Sequence, residues 1–180
     1  LFLMLRVHAP NASIRDVIGL RKTHLAFYPL AILLGVAVEI PADGLYDAIV
    51  RRFPTGVEDR FAEIYRDASG PQRAVFVLLL VAVGPALEEL IFRGALFRLL
   101  AKTNPIETVI LVTAMLFAFA HLQWQMFLPI GFVGLVLAFV RYKTGSIVPS
   151  LLVHGSFNAV SFVLTDQSST SAASGPAFPP

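Results

Sequence analysis

Long apolar runs separated by short polar clusters set the pattern of this chain. Five runs approach the roughly 20 mostly apolar residues that a helix needs to cross a bilayer. They cover about Leu25 to Ile40, Arg73 to Leu100, Ile106 to Trp124, Met126 to Tyr142 and Ser146 to Leu164. Prolines punctuate them. Pro41 marks the expected end of the first, Gly84-Pro85 interrupts the second, and Asn104-Pro105 opens the third. Pro129 and Pro149 fall near the starts of the fourth and fifth, where a missing N–H would have been unpaired anyway. Between the first and second runs, Ala42 to Gln72 mixes Asp47, Arg51, Glu58, Arg60 and Arg66 with Leu45, Ile49, Phe61, Ile64 and Tyr65. Phe61, Ile64 and Tyr65 are helically spaced, which predicts an amphipathic segment at the membrane interface; an ordinary solvated helix is the alternative. Asp166 to Pro180 is rich in Ser, Ala, Pro and Gly without a period and reads as a disordered tail.

These runs predict an all-α, polytopic transmembrane helix bundle of about five spanning helices with an interfacial amphipathic segment. Residues 1–72 form an N-terminal part, 73–165 a core, and 166–180 the tail. LFLML before Arg6 reads as the end of an apolar segment, so a truncated N-terminus is expected. Composition agrees with the membrane reading: 56% of the 180 residues are hydrophobic and 14% charged, against about 25% charged in soluble domains. Mean hydropathy is +0.73. Cysteine is absent, which excludes disulfides, thiolate metal sites and a cysteine nucleophile. Net charge is +2 with no basic patch interleaved with aromatics, so no nucleic-acid partner is expected. Arg15, Arg21, Lys22, Arg98, Lys102, Arg141 and Lys143 fall in short connections on one side. The positive-inside rule makes that side cytoplasmic.

The polar exceptions inside the runs carry the chemistry. Glu88 and Glu89 stand together within the second run, with Arg93 four residues on. A carboxylate at mid-bilayer costs roughly 2.5–3.5 kcal/mol by insertion scales, and such residues mark functional sites by default. Residues at i and i+4 share a helix face. Glu89 and Arg93 therefore pair most simply as an intrahelical ion pair. Glu88, about 100° round the helix, is left without a local partner and is expected to find a proton, cation or donor on another helix, with His121 and His154 as the candidates. His121 lies in the third run; His154 and Asn158 share a face of the fifth. A lone intramembrane His is often a helix–helix hydrogen-bonding residue, but two, with Asn158 and an orphan Glu, suggest a site.

A Glu or His can take a proton from water, and Asn and His can donate to a developing oxyanion. The same Glu88, His121 and His154 could instead ligate zinc, although no H-E-x-x-H signature is present. Ser150 precedes His154 by one turn, yet no G-x-S-x-G elbow accompanies it. A proton relay or transporter would also use intramembrane Glu, Arg and His, as would an idle immunity protein on the same scaffold. The depths raise a problem. Glu88 lies far along its helix from one side and His121 far along the next from the other, so a bend at Gly84-Pro85 is expected to bring them level.

Three patterns then carry a resemblance. EELIFR fits EExxxR, FAFAH fits FxxxH and HGSFN fits HxxxN, in order and each on an apolar helix; the lead-in RYKTGSIVPSLLVH fits the same context. From about Arg73 to Leu164 the chain resembles the CAAX protease and bacteriocin-processing family of intramembrane glutamic endopeptidases. The resemblance implies a polar intramembrane cavity, with Glu88 and His121 activating water and His154 and Asn158 stabilising the oxyanion. Glu89 and Arg93 would support the site structurally, and no metal or other cofactor would be required. It also implies a membrane-anchored protein or peptide as substrate, the lipid bilayer as partner, and a bacterial cytoplasmic membrane as location.

Overall fold

The computed structural model describes residues 13, 15, 18–54, 64–65 and 67–173, with the backbone alone from 166 onward. The expected N-terminal truncation, and residues 55–63 and 66 of the amphipathic segment, lie outside the described residues. Among the described residues the fold is all helical, with α1 Phe27–Arg52, α2 Gly70–Leu100, α3 Ile106–Ala120, α4 Phe127–Thr144 and α5 Ile147–Ala173. Four of these are long and apolar enough to cross a membrane, and α3 is a shorter apolar helix. Many large side chains point outward, among them Leu78, Ile91, Leu111 and Phe139. Such outward apolar faces suit hydrocarbon, where every backbone polar group must be satisfied inside the helix.

Three boundaries differ from those the pattern predicts. Pro41 lies inside α1, which runs on to Arg52. A proline removes one N–H, but packing in a membrane bundle tolerates the loss, and the first part of the expected amphipathic segment is thus the end of a spanning helix. α3 stops at Ala120, with His121 as its C-cap. The next residue, Leu122, has φ +56° and is 92% exposed; that left-handed turn cannot continue a helix. At the other end, α5 continues to Ala173, because Asp166 to Ala173 contains neither Gly nor Pro to stop it. Residues 174–180 lie outside the described residues.

Local chemistry starts and stops the helices. Gln72 reaches back to accept the Ser69 backbone N–H at 2.8 Å, ahead of α2. Asn104 donates to Leu100 O at 2.9 Å and closes α2. Gly145 takes φ +67° to end α4, and its N–H bonds Arg141 O. Ser146 accepts the Val148 N–H at the start of α5.

The long α5 packs along α1 and also touches α4 and α2, while α3 lies against α4. Small residues allow the close approaches. A Cβ on Gly35 of α1 would stand 2.4 Å from the Val153 carbonyl of α5, and one on Gly155 would stand 2.9 Å from the Val81 carbonyl of α2. The core where α1, α3, α4 and α5 meet holds Ala31, Val38, Phe117, Val133, Leu137 and Val153. The polar site lies beside it.

Candidate active site

α2 presents Glu88 and Glu89 to α5, which answers with Ser150 and His154 one turn apart. Glu89 is fully buried. Its Oε1 accepts from Arg93 Nη1 at 3.0 Å and faces His154 Nδ1 at 3.3 Å. Its Oε2 accepts from the Ser150 hydroxyl. One carboxylate thus has three partners, which is how a buried charge is made tolerable. Arg93, equally buried, also donates from Nη2 to the Gly134 carbonyl of α4 at 3.0 Å. Its guanidinium lies over the Phe117 ring at 4.3 Å, a favourable cation–π contact. The pairing expected of Glu89 and Arg93 is present, and it ties α2 to both α4 and α5.

Glu88 is housed differently. Its side chain is 36% exposed, and its Oε2 lies 3.6 Å from His154 Nε2. Although they project about 100° apart on α2, Glu88 and Glu89 share His154 as a partner. An imidazole offers a nitrogen on each flank, so one ring spans the angle between adjacent glutamates: Nδ1 faces Glu89 and Nε2 faces Glu88. With both ring nitrogens protonated, Glu88, Glu89, Arg93 and His154 together carry no net charge. Among the described residues no ion pair joins Glu88 to His121; its recorded partner is His154.

His121 stands one turn beyond Phe117 at the end of α3. Its Nδ1 is 2.8 Å from the Phe117 carbonyl. A carbonyl only accepts, so Nδ1 carries a proton; in the neutral ring Nε2 then has the lone pair. The Phe117 ring lies between the imidazoles, with centroids 4.9 Å from His121 and 5.6 Å from His154. This explains the depth difference in part. The FxxxH spacing puts Phe117 at the level of His154 and His121 one turn further out. α2 itself is continuous from Gly70 to Leu100, with a wide π-turn at Leu79–Val83 immediately before Gly84-Pro85.

Asn158 donates from Nδ2 to Leu80 O of α2 at 2.9 Å. An amide has two N–H groups, so one is still available for another acceptor. Ser150 is fully buried, and its hydroxyl serves Glu89 and Leu137 O. It is an anchor for Glu89, which accounts for a serine at that spacing without nucleophilic chemistry. Among the described residues no group of three His, Asp or Glu side chains is arranged to hold a metal ion.

Sequence reasoning gave no role to two participants and to one buried acid outside the centre. Phe117 touches Arg93, Phe92, His121 and His154. Its place in an FxxxH pattern was the available signal. Arg141, counted only as a loop cation, is 7% exposed and donates from Nε to the Arg93 carbonyl at 3.1 Å. Glu39 of α1 is also buried and accepts from Ser161 at 2.7 Å. Ending the first run near Ile40 hid it as an intramembrane acid.

Neither a curated protein nor a solved structure matches the chain. The family described as type II CAAX prenyl endopeptidase, Rce1-like, matches residues 70–160, half of the chain. That span holds Glu88, Glu89, Arg93, Phe117, His121, His154 and Asn158 together. With its apolar spanning helices and this match, the chain is an integral membrane protein that belongs to the Rce1-like family of proteases.

Proposed function

We propose that the chain is a glutamate-type intramembrane endopeptidase that hydrolyses a peptide bond of a membrane-associated or lipid-anchored protein. The observation that carries this reading is the asymmetry of the adjacent glutamates around one imidazole. Glu89 is sealed by Arg93 and Ser150 and holds His154 by Nδ1. Glu88 is partly open and faces Nε2. A buried acid that orients a histidine, beside an accessible acid, is an arrangement suited to moving protons.

In this mechanism Glu88 takes a proton from water as the water oxygen attacks the scissile carbonyl carbon. The Nε2 lone pair of His121 assists at the same water. The oxyanion accepts from the second Asn158 N–H and from His154 Nε2–H. When the C–N bond breaks, Glu88 returns the proton to the departing amine. No metal or other cofactor takes part. Glu89 and Arg93 hold the geometry. The bacterial cytoplasmic membrane is the proposed location.

The test is a cleavage assay in proteoliposomes against membrane-anchored proteins, comparing wild type with Glu88→Gln, with and without chelator. Cleavage that survives chelator and disappears in Glu88→Gln is expected. Loss in chelator would instead support zinc held by Glu88, His121 and His154. Cleavage unaffected by Glu88→Gln would sink the reading, and proton flux without cleavage would favour a transporter.

A further inference from the structure

The catalytic helix α2 leaves the α register twice, on either side of Glu88 and Glu89. At the first departure the Gly84 N–H bonds Leu79 O, five residues back. In an α register it would serve Leu80 O. The following residue is Pro85, which has no N–H, so Leu80 O is skipped. At the second departure the Phe97 N–H bonds Phe92 O, and the Arg93 carbonyl loses its α-register donor. A π-turn of this kind is rare and is found mostly at functional sites. An unmet carbonyl in hydrocarbon is costly.

Each skipped carbonyl is met from another helix. Asn158 of α5 donates to Leu80 O at 2.9 Å. Arg141 of α4 donates from Nε to Arg93 O at 3.1 Å. The two bonds bracket the pair of glutamates. The Arg141 guanidinium is buried over the Phe97 ring at 5.5 Å. Gly19 is packed against it so closely that a Cβ there would lie 2.6 Å from Nη2. Among the described residues Arg141 forms no ion pair.

We propose that Arg141 is a positioning residue for the reaction: its Nε–H fixes the second π-turn of α2 and thereby the placement of Glu88, Glu89 and Arg93. For its kinetic readout the proposal rests on the endopeptidase reading above. Three substitutions separate this role from a topogenic or merely packing one. Gln places an amide nitrogen where Arg has Nε. Met has the same reach without a donor, and Lys keeps the charge with a carbon at that position.

The expected kcat order is wild type, then Arg141→Gln, then Arg141→Lys and Arg141→Met together. Met should fall about ten-fold below Gln, with KM unchanged. Amide hydrogen exchange over residues 90–97 needs no substrate and reads the π-turn itself. It should quicken about ten-fold in Arg141→Met and little in Arg141→Gln. If no substrate is cleaved even by wild type, the exchange result still stands, and the endopeptidase reading is what fails. Lys restoring kcat and exchange better than Gln, or Gln and Met behaving alike, would overturn the proposal. Should the Arg141 variants not accumulate, Gly19→Ala displaces the guanidinium while keeping the arginine, and lowered kcat with faster exchange over 90–97 is expected. Unchanged values in that variant would overturn it equally.

Discussion

Two glutamates, Glu89 of α2 and Glu39 of α1, lie buried against the same helix, α5, and they are housed in opposite ways. Glu89 meets a guanidinium, a hydroxyl and an imidazole. Among the described residues Glu39 has one hydroxyl, from Ser161, and no partner for its buried Oε2. The difference teaches where this bundle is built to carry charge. At α2 the cations come from the same sequence pattern as the acids; among the described residues no cation pairs with the acid of α1. A carboxylate that must stay ionised needs the first kind of housing, since an unpaired charge in a low-dielectric interior is severely penalised.

The largest effect is expected next to the well-housed acid. Glu88→Gln should lower the cleavage rate by about 10²–10⁴-fold, the range of general acid–base catalysis, while leaving thermal stability near wild type. Arg93→Ala should remove about 3–5 kcal/mol of stability, because it strands Glu89 as an uncompensated buried charge; unfolding in detergent reads this. Ser150→Ala withdraws one donor from the same carboxylate and should cost about 1.5–3 kcal/mol, with residual cleavage. At the other site, Glu39→Gln should change stability by less than about 1 kcal/mol, since the amide oxygen still accepts from Ser161, and should leave cleavage intact. The contrast between the two housings collapses if Glu39→Gln proves as damaging as Arg93→Ala.

Much of the active centre was legible because helical spacing is local. The i, i+4 relation of Glu89 with Arg93, and of Ser150, His154 and Asn158 with one another, follows from the period of the helix alone. What spacing could not reveal was the partner across a helix interface. The meeting of Glu88 with His154 depends on how α5 is rotated against α2, at an interface where Gly155 packs against the Val81 carbonyl. The π-turns were hidden for a related reason: Gly84-Pro85 announces a disturbance, but whether it becomes a bend or a change of hydrogen-bond register is decided by what Asn158 offers from another helix. The expected end of the first run at Pro41 failed because an isolated-helix rule was applied where neighbouring helices decide. Arg141 was misread because a cation near a helix end resembles a topological signal until its neighbours are known.

The close approach at Gly35 has a mechanical consequence. With the α1 backbone nearly touching the α5 carbonyl of Val153, these helices act as a fixed wall, because sliding or parting them would open a void along a seam with no side chain at Gly35 to fill it. On the proposed endopeptidase reading, a substrate would then reach the centre where Glu88 is open rather than through the α1–α5 seam. A cross-link engineered between α1 and α5 should therefore leave turnover unchanged. One glycine of the first spanning helix would then close one side of the protein to its substrate.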